Sequence, residues 1–473
     1  MKSLAKLFGR FRMNRELHLL EAHEIVALLK AGSVSPLELI DVVEERIKAT
    51  DDLVHDTHAV EGVRFTEGSL LYAERIAETN ASVVSQLEAN GAIIVGKTNV
   101  PEFCAGSQSF NSLFPTTVSP WDTRTTAGGS SGGSAAALAS YQCWLATGTD
   151  LGGSLRMPAA FCGCVGFRVS PGRTPTAVGG PMLGLHSITG PMGRSVRDVG
   201  LFLDAMASRD GWDVDLPSEA FEEAAVSGQE QGLKALGLKV GFSTLGYKYA
   251  PEVESLCRSA AHLLNNESEV QEVGEDKLDS PMAERIFHAL RAEQFAETFG
   301  EKLENPDQAA LLKPEIRWNI QQGQGLECRQ ADEAREDLKL LHGQLQEMFQ
   351  SIDVLCVPAT LDAAIDATVR YPTKQLGQCF TNYLGWMMPT AIVSVFSCPA
   401  IVLPCGFLED GRPVGLQLLA PFGADAAVLR AAAALEARLA LPKGTTPRPG
   451  TGKLNTEGPR TSEEAAQHHG LGQ

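Results

Sequence analysis

Two glycine-serine turns separated by an alanine-rich stretch constrain this chain more than any other feature. The first reads Gly128-Gly129-Ser130-Ser131-Gly132-Gly133-Ser134-Ala135-Ala136-Ala137, and the second Gly148-Thr149-Asp150-Leu151-Gly152-Gly153-Ser154-Leu155-Arg156-Met157-Pro158-Ala159. Glycine tolerates positive φ and leaves the main chain uncovered, so successive N–H groups can converge on one anion. Gly152, Gly153 and Ser154 thus present a hydroxyl beside a cluster of amide donors, which is what an oxyanion hole requires. A flexible linker would not enclose a helix, read here over about residues 132–146, nor run on into Arg156-Met157-Pro158-Ala159-Ala160-Phe161. Both serine turns are expected to be rigid and to build a site.

Two shorter motifs fail on context. Gly91-Ala92-Ile93-Ile94-Val95-Gly96-Lys97-Thr98 matches the phosphate-loop pattern letter for letter. A phosphate loop follows its strand and leads at once into a helix. Here the variable positions are themselves strand-like, and Asn99-Val100-Pro101 turns the chain away from helix, because the residue before proline avoids that conformation. Nucleotide binding is not expected there. Gly128-Gly129-Ser130-Ser131-Gly132 also spells a nucleophile elbow, which needs a preceding apolar strand and later Asp and His partners. Residues 122–127 are polar, and none of His186, His262, His288 or His342 sits where a base is marked out. A Ser-His-Asp hydrolase is therefore the runner-up.

With 473 residues, 44% apolar and 21% charged, the chain can bury a sizeable core, in one large sheet or several domains. Forty basic against 58 acidic residues leave a formal charge of −18, a field that repels phosphate backbones, so nucleic acid is not expected as a partner. The ten cysteines follow no metal-ligand or paired spacing and read as reduced thiols of a cytoplasmic protein; no metal or cofactor is expected. Lys2, Lys6, Arg10, Arg12 and Arg15 precede any acid, so residues 1–15 read as a basic extension, without the apolar core of a signal peptide. Residues 388–407 are long enough for a membrane span but hold Pro389, Pro399 and Pro404; two buried strands explain them better, and no membrane is expected.

Residues 16–50 read as two helices, the second opened by the capping box Ser35-Pro36-Leu37-Glu38, with Leu39, Ile40, Val43 and Ile47 on one face. A helix near residues 80–90 ends at Gly91, and Ala92-Ile93-Ile94-Val95 reads as a strand covered on both faces. Helix followed by strand argues for an α/β architecture. The acidic stretch of residues 210–350 reads as an all-helical insertion. Residues 352–358 and 400–404 read as further buried strands, 425–439 as an Ala/Leu-rich helix, and 443–473 as a disordered tail.

The Gly/Ser signature over residues 128–158, with Gly96-Lys97-Thr98-Asn99, Pro101-Glu102-Phe103 and Pro413-Val414-Gly415-Leu416-Gln417-Leu418, resembles the amidase signature family. These are serine hydrolases that cleave carboxamides with a Ser, cis-Ser, Lys triad. The resemblance implies an amidase signature fold over residues 16–442, a mixed twisted sheet covered by helices on both faces. It implies that Ser154 is the acylating nucleophile and that Ser130 is the serine with a cis peptide bond, relaying protons. Leu151, Gly152, Gly153 and Ser154 match the oxyanion donors, Ser131 and Arg156 the supporting residues, and Thr149 and Asp150 the residues that hold the turn.

The lysine of the triad sits in a Val-Lys-Asp segment followed by a Gly-Val turn. The matching segment here is Val54-His55-Asp56, leading to Gly62-Val63, so His55 takes the lysine's position. Lys97 belongs to a different stretch of the pattern. The family's additional residues before the lysine, including the strand that delivers it, are missing: Lys48-Ala49-Thr50-Asp51-Asp52 runs almost directly into Val54. Imidazole, with an ordinary pKa of about 6.5, is easily neutral. It is also shorter and stiffer than a lysine chain, and a misplacement of about 1 Å costs about a hundredfold.

Three functions stay open. The first is a hydrolase of a small-molecule carboxamide, working through a Ser154 acyl-enzyme. The second is an impaired relative that binds a ligand or partner. The third, ranked below a stand-alone amidase, is the glutamine-amide-hydrolysing subunit of a tRNA-dependent amidotransferase. A homodimer is also left open. Tyr383, Trp386, Met387 and Met388 read as core or acyl-pocket residues ahead of a strand pair, His58 as a turn residue, and Cys162 and Cys164 as packed beneath the nucleophile.

Overall fold

An eight-stranded mixed sheet organises the chain. Its strands are β1 (Leu145–Asp150), β2 (Val165–Arg168), β3 (Ile188–Gly193), β4 (Val240–Phe242), β5 (Gln271–Glu272), β6 (Val354–Pro358), β7 (Ala400–Phe407) and β8 (Pro413–Leu419), in the spatial order β1-β3-β2-β7-β8-β6-β4-β5. Neighbours run antiparallel from β1 as far as β6 and parallel across β6, β4 and β5. The computed structural model describes residues 17–50, 58–175, 185–208, 216–265, 269–274 and 276–444. The basic extension, His55 and nearly all of the expected tail lie outside them.

Fourteen α-helices surround the sheet among the described residues: α1 (Ala22–Lys30), α2 (Pro36–Thr50), α3 (Ser82–Ala89), α4 (Gly132–Ala139), α5 (Arg156–Cys162), α6 (Val196–Met206), α7 (Phe221–Leu236), α8 (Pro251–Leu264), α9 (Ser280–Glu304), α10 (Pro306–Leu311), α11 (Pro314–Gln324), α12 (Cys328–Met348), α13 (Met388–Val395) and α14 (Asp425–Leu439). Side chains alternate along a strand, so a sheet covered on both sides must be apolar at every position. Val354 and Cys356 of β6 enter a core shared with α6, α7, α8 and α14. Leu355 and Val357 enter the opposite core, with α9, α12 and α13. Helices α4 and α5 pack on that second side with Val402 of β7. None of the described helices is long and apolar enough to cross a membrane.

Local rules account for several boundaries. Ser35 and Glu38 close a reciprocal cap on α2, with Ser35 N–H donating to Glu38 Oε2 at 2.8 Å and Glu38 N–H to Ser35 Oγ at 3.3 Å. The helix over residues 425–439 begins and ends where its Ala/Leu pattern does.

Four expectations are corrected. Helix α4 stops at Ala139, not near residue 146, because Tyr141 adopts φ +62° and Gln142 N–H closes back on Ala137 O at 2.8 Å. The chain is then free to enter β1. Residues 92–95 form no strand: Ile93 and Val95 are 51% and 44% exposed, while Ala92 and Ile94 pack against α3 and α6. Residues 388–407 hold helix α13 and then β7, not two strands; Pro389 falls in the first turn, where a missing N–H costs nothing. A short, uniformly apolar run does not reveal its own period. Finally, residues 210–350 are not wholly helical, since β4 and β5 extend the central sheet.

Candidate active site

The two serine turns meet beyond the carboxyl end of β1. Ser131 N–H donates to Ser154 O at 3.1 Å, and Thr149 N–H to Ser131 Oγ at 3.3 Å. Nothing larger than glycine fits at 148, where a Cβ would stand 2.4 Å from Ser131 Oγ. The Gly129–Ser130 peptide bond is cis. Ser109 stitches the first turn: its Oγ lies 3.0 Å from Gly128 O and 3.1 Å from Ser130 O, and it accepts Gly132 N–H at 3.1 Å. Ser130 is 1% exposed, and its Oγ has no hydrogen-bond partner among the described residues. Ser154 is 8% exposed.

The second turn is shaped by a buried ion pair. Asp150 accepts Gly153 N–H at 2.8 Å, Leu155 N–H at 3.2 Å, and Arg156 Nε and Nη2 at 2.9 Å each. Arg156 continues to Gln417 Oε1 of β8 at 2.8 Å and Ser394 Oγ of α13 at 2.6 Å. Arg168 donates to Asp150 O and lies 3.6 Å from its carboxylate. Burial alone would raise the Asp150 carboxyl, but Arg156, Arg168 and the Gly153 amide outweigh it and hold it down at about 2. The same burial lowers Arg168 to about 10 despite Asp150.

Gly153 has φ +112°, and a Cβ there would meet Thr390 Oγ1 at 2.1 Å. Thr390 Oγ1 itself sits 3.0 Å from Gly152 O and 2.9 Å from Met387 O. A Cβ on Gly152 would meet Phe287 Cζ at 2.9 Å and Met387 Cε at 3.0 Å. Helix α9 and the start of α13 therefore clamp the turn. Gly153 N–H is committed to Asp150, whereas the N–H groups of Leu151, Gly152 and Ser154 have no partner among the described residues. Gly153 shapes the cradle, and the other three are its available donors.

Ser130, Ser131, Thr149, Asp150, Leu151, Gly152, Gly153, Ser154 and Arg156 are thus brought together. His55 lies outside the described residues. His58 is half-buried with Nδ1 3.1 Å from Thr147 Oγ1 on β1. Lys97 stands elsewhere, its Nζ donating to Arg64 O at 2.8 Å. Cys162 and Cys164 are buried against α4 and α5. Tyr383 is held by Arg291 Nη2 at 2.7 Å and Asn319 Nδ2 at 2.6 Å, while Met387 reaches the turn. Spacing gave no hint of Thr390, Phe287 or Gln417, which reach this turn from distant parts of the chain. Glu21, His23 and Asp198 have ligand atoms within 4.8 Å of one another, but Asp198 already accepts from Ala22 N, His23 N and His23 Nδ1, so this group is a structural junction.

Known proteins resemble the chain throughout. It is 32% identical over 471 residues to the A subunit of the glutamyl-tRNA(Gln) amidotransferase of Thermus thermophilus, covering 88% of this chain and 96% of that protein. It is 29% identical to the corresponding protein of Moorella thermoacetica, covering 89% and 97%. Among solved structures, a bacterial aryl acylamidase of the amidase signature family superposes with a TM-score of 0.79 at 22% identity, over 90% of this chain and 97% of that one. A 6-aminohexanoate cyclic dimer hydrolase gives 0.78 at 22% identity, over 91% and 99%. The family profile described as Amidase matches residues 53–429. The chain belongs to the amidase family of amide-hydrolysing enzymes.

Proposed function

We propose that Ser154 attacks a carboxamide carbon, with Ser130 receiving its proton and the amides of Leu151, Gly152 and Ser154 meeting the oxyanion. The Ser154 Oγ–C bond forms, the C–N bond breaks, and the proton returns to the departing nitrogen. Water then hydrolyses the acyl-enzyme. The observation that carries this reading is the Ser131 N–Ser154 O hydrogen bond, which docks the two serine turns while Ser130 Oγ is buried without a partner among the described residues. By resemblance, His55 is the candidate for the base beyond Ser130.

The relatives in sequence support a substrate class. Several are A subunits of glutamyl-tRNA(Gln) amidotransferases, at 29–32% identity over most of both chains. On that ground we rank the reading as a glutamine-amide-hydrolysing subunit above the stand-alone amidase, with ammonia as product and partner subunits as its setting. The residues around Ser154 support either substrate.

A fluorophosphonate probe tests the chemistry. Labelling is expected on Ser154 and absent from the Ser154→Ala chain; a folded protein that never labels is instead a ligand- or partner-binding relative. Release of ammonia from glutamine, rising when partner subunits are added, is the expected sign of the amidotransferase reading. Hydrolysis of simple amides with no response to glutamine would restore the stand-alone amidase.

A further inference from the structure

We propose that the cavity between α9, α11 and α12 is a second small-molecule site, which binds a monocarboxylate with an apolar body and seats its charge on Arg291. The cavity has a volume of about 710 Å³, within the range of small-molecule sites. No residue of either serine turn lines it. Phe287, one turn before Arg291 on α9, belongs instead to the core that reaches Gly152, with its Cζ 2.9 Å from where a Cβ on that glycine would be. The site is therefore separate from the one around Ser154, and it does not depend on the reading of that serine.

Arg291 lines the cavity and is 4% exposed. Its Nη1 donates to Asn319 Oδ1 and its Nη2 to the Tyr383 hydroxyl at 2.7 Å, both neutral partners. A guanidinium carries five N–H donors, so three are left with no acceptor among the described residues. The rings of Phe295 and Tyr383 lie 4.2 and 5.6 Å from its central carbon. Other buried arginines are compensated: Arg156 by Asp150 and Arg173 by Asp425, each at 2.9 Å, and Arg194 by the carbonyls of Cys143, His18 and Leu20. Arg291 has neither kind of partner among the described residues. Burial lowers its pKa below the ordinary guanidinium value, and Tyr383 alone opposes that. A buried cation in this setting is costly until an anion joins it, and a planar carboxylate matches its fork.

The walls define the rest of the ligand. Trp318, packed edge-on against Tyr383 with 5.8 Å between ring centres, lines the cavity with Ile286, Ala292 and Leu384, which suits an apolar body. Towards solvent the lining turns acidic. Glu333 is exposed and faces Arg329 at 3.4 Å, Asp337 stands one turn further along α12, and Glu284 accepts from the Tyr247 hydroxyl at 2.7 Å. A second negative charge on the ligand would meet these carboxylates, so a single carboxylate is favoured over a dicarboxylate or a phosphate.

The test is calorimetric titration of the full chain, with Ser154 blocked by the fluorophosphonate, using benzoate and its uncharged isostere benzamide. Benzoate is expected to bind one per chain at millimolar concentration and to raise the melting temperature. Benzamide should bind at least about tenfold more weakly, as loss of a charge-assisted hydrogen bond requires. Arg291→Met should abolish the preference for benzoate, and Arg291→Lys, which keeps the charge without the fork, should retain part of it. Equal binding of the two ligands, or no binding of benzoate, would overturn the site; so would an undiminished preference in a folded Arg291→Met chain. If Arg291→Met does not fold, the two ligands on the wild type and on Arg291→Lys decide the matter. Benzoate that binds the free chain but not the blocked one lies in the catalytic pocket, and the separate site falls while the reading of Ser154 stands. A chain that never labels overturns the reading of Ser154 alone, and the same titration of Ser154→Ala then decides the site.

Discussion

Asp150 and Arg156, six residues apart, are joined by two 2.9 Å hydrogen bonds with neither side chain exposed to solvent. Between them the chain makes the turn that carries Ser154. The carboxylate gathers the amides of Gly153 and Leu155 on its own side. The guanidinium reaches Gln417 and Ser394, so the turn is tied at once to β8 and α13.

Removing the cation should therefore cost more than one ordinary contact. Arg156→Met leaves a buried carboxylate with only Arg168 opposite it, and breaking such a pair typically destabilises by about 3–5 kcal/mol. Urea unfolding measures this. A loss below about 1 kcal/mol would mean that the turn does not depend on the pair.

Acid should act through the same carboxylate. Asp150 is held at about 2, below the ordinary carboxyl range near 4, so its stabilisation is fully present above that range. It is lost as pH falls from about 4 towards 2, by on the order of 2 kcal/mol. The unfolding free energy of the wild type should drop more steeply through this window than that of Asp150→Asn. Parallel slopes would sink the assignment.

Two glycine substitutions should have opposite signs. Gly153→Ala meets Thr390 Oγ1 at 2.1 Å from a φ of +112°, so overpacking and backbone strain add, for about 3 kcal/mol or more of destabilisation. Gly343→Ala lies on the exposed side of α12 with nothing within 4 Å, and should stabilise by about 0.5–1 kcal/mol. Thermal melts of the two chains distinguish them, and a tolerated Gly153→Ala would show that the clamp of α13 is loose.

Helices α7 and α14 cross at Gly228, where an added Cβ would lie 2.1 Å from Arg430 O, a main-chain atom that cannot step aside. Gly228→Ala should destabilise by about 1–3 kcal/mol although alanine is the better helix former. A raised melting temperature would show that the helices separate freely.

The serine turns were legible because their constraints are local. A glycine pair, a hydroxyl and the acid-base pair of Asp150 and Arg156 all lie within one short run, and their spacing reports the turn they make. The cap of α2 and the span of α14 were readable for the same reason. Apolar runs were not. Residues 388–395 became a helix and 92–95 an unpaired segment with half its side chains exposed, because hydrophobicity without a period does not say which partner covers it.

From its sequence alone, this protein was committed to an α/β fold with two rigid serine turns on either side of a short helix, since glycine spacing and capping act within a few residues. Only the tertiary structure decided what stands around those turns. Thr390 meets Gly152 across 238 residues, and Gln417 meets Arg156 across 261. Lys313 meets Glu102 across 211 residues and Ala105 across 208. Contacts of that kind are made by packing two faces of one sheet, and no local pattern encodes which distant side chain will fill the space.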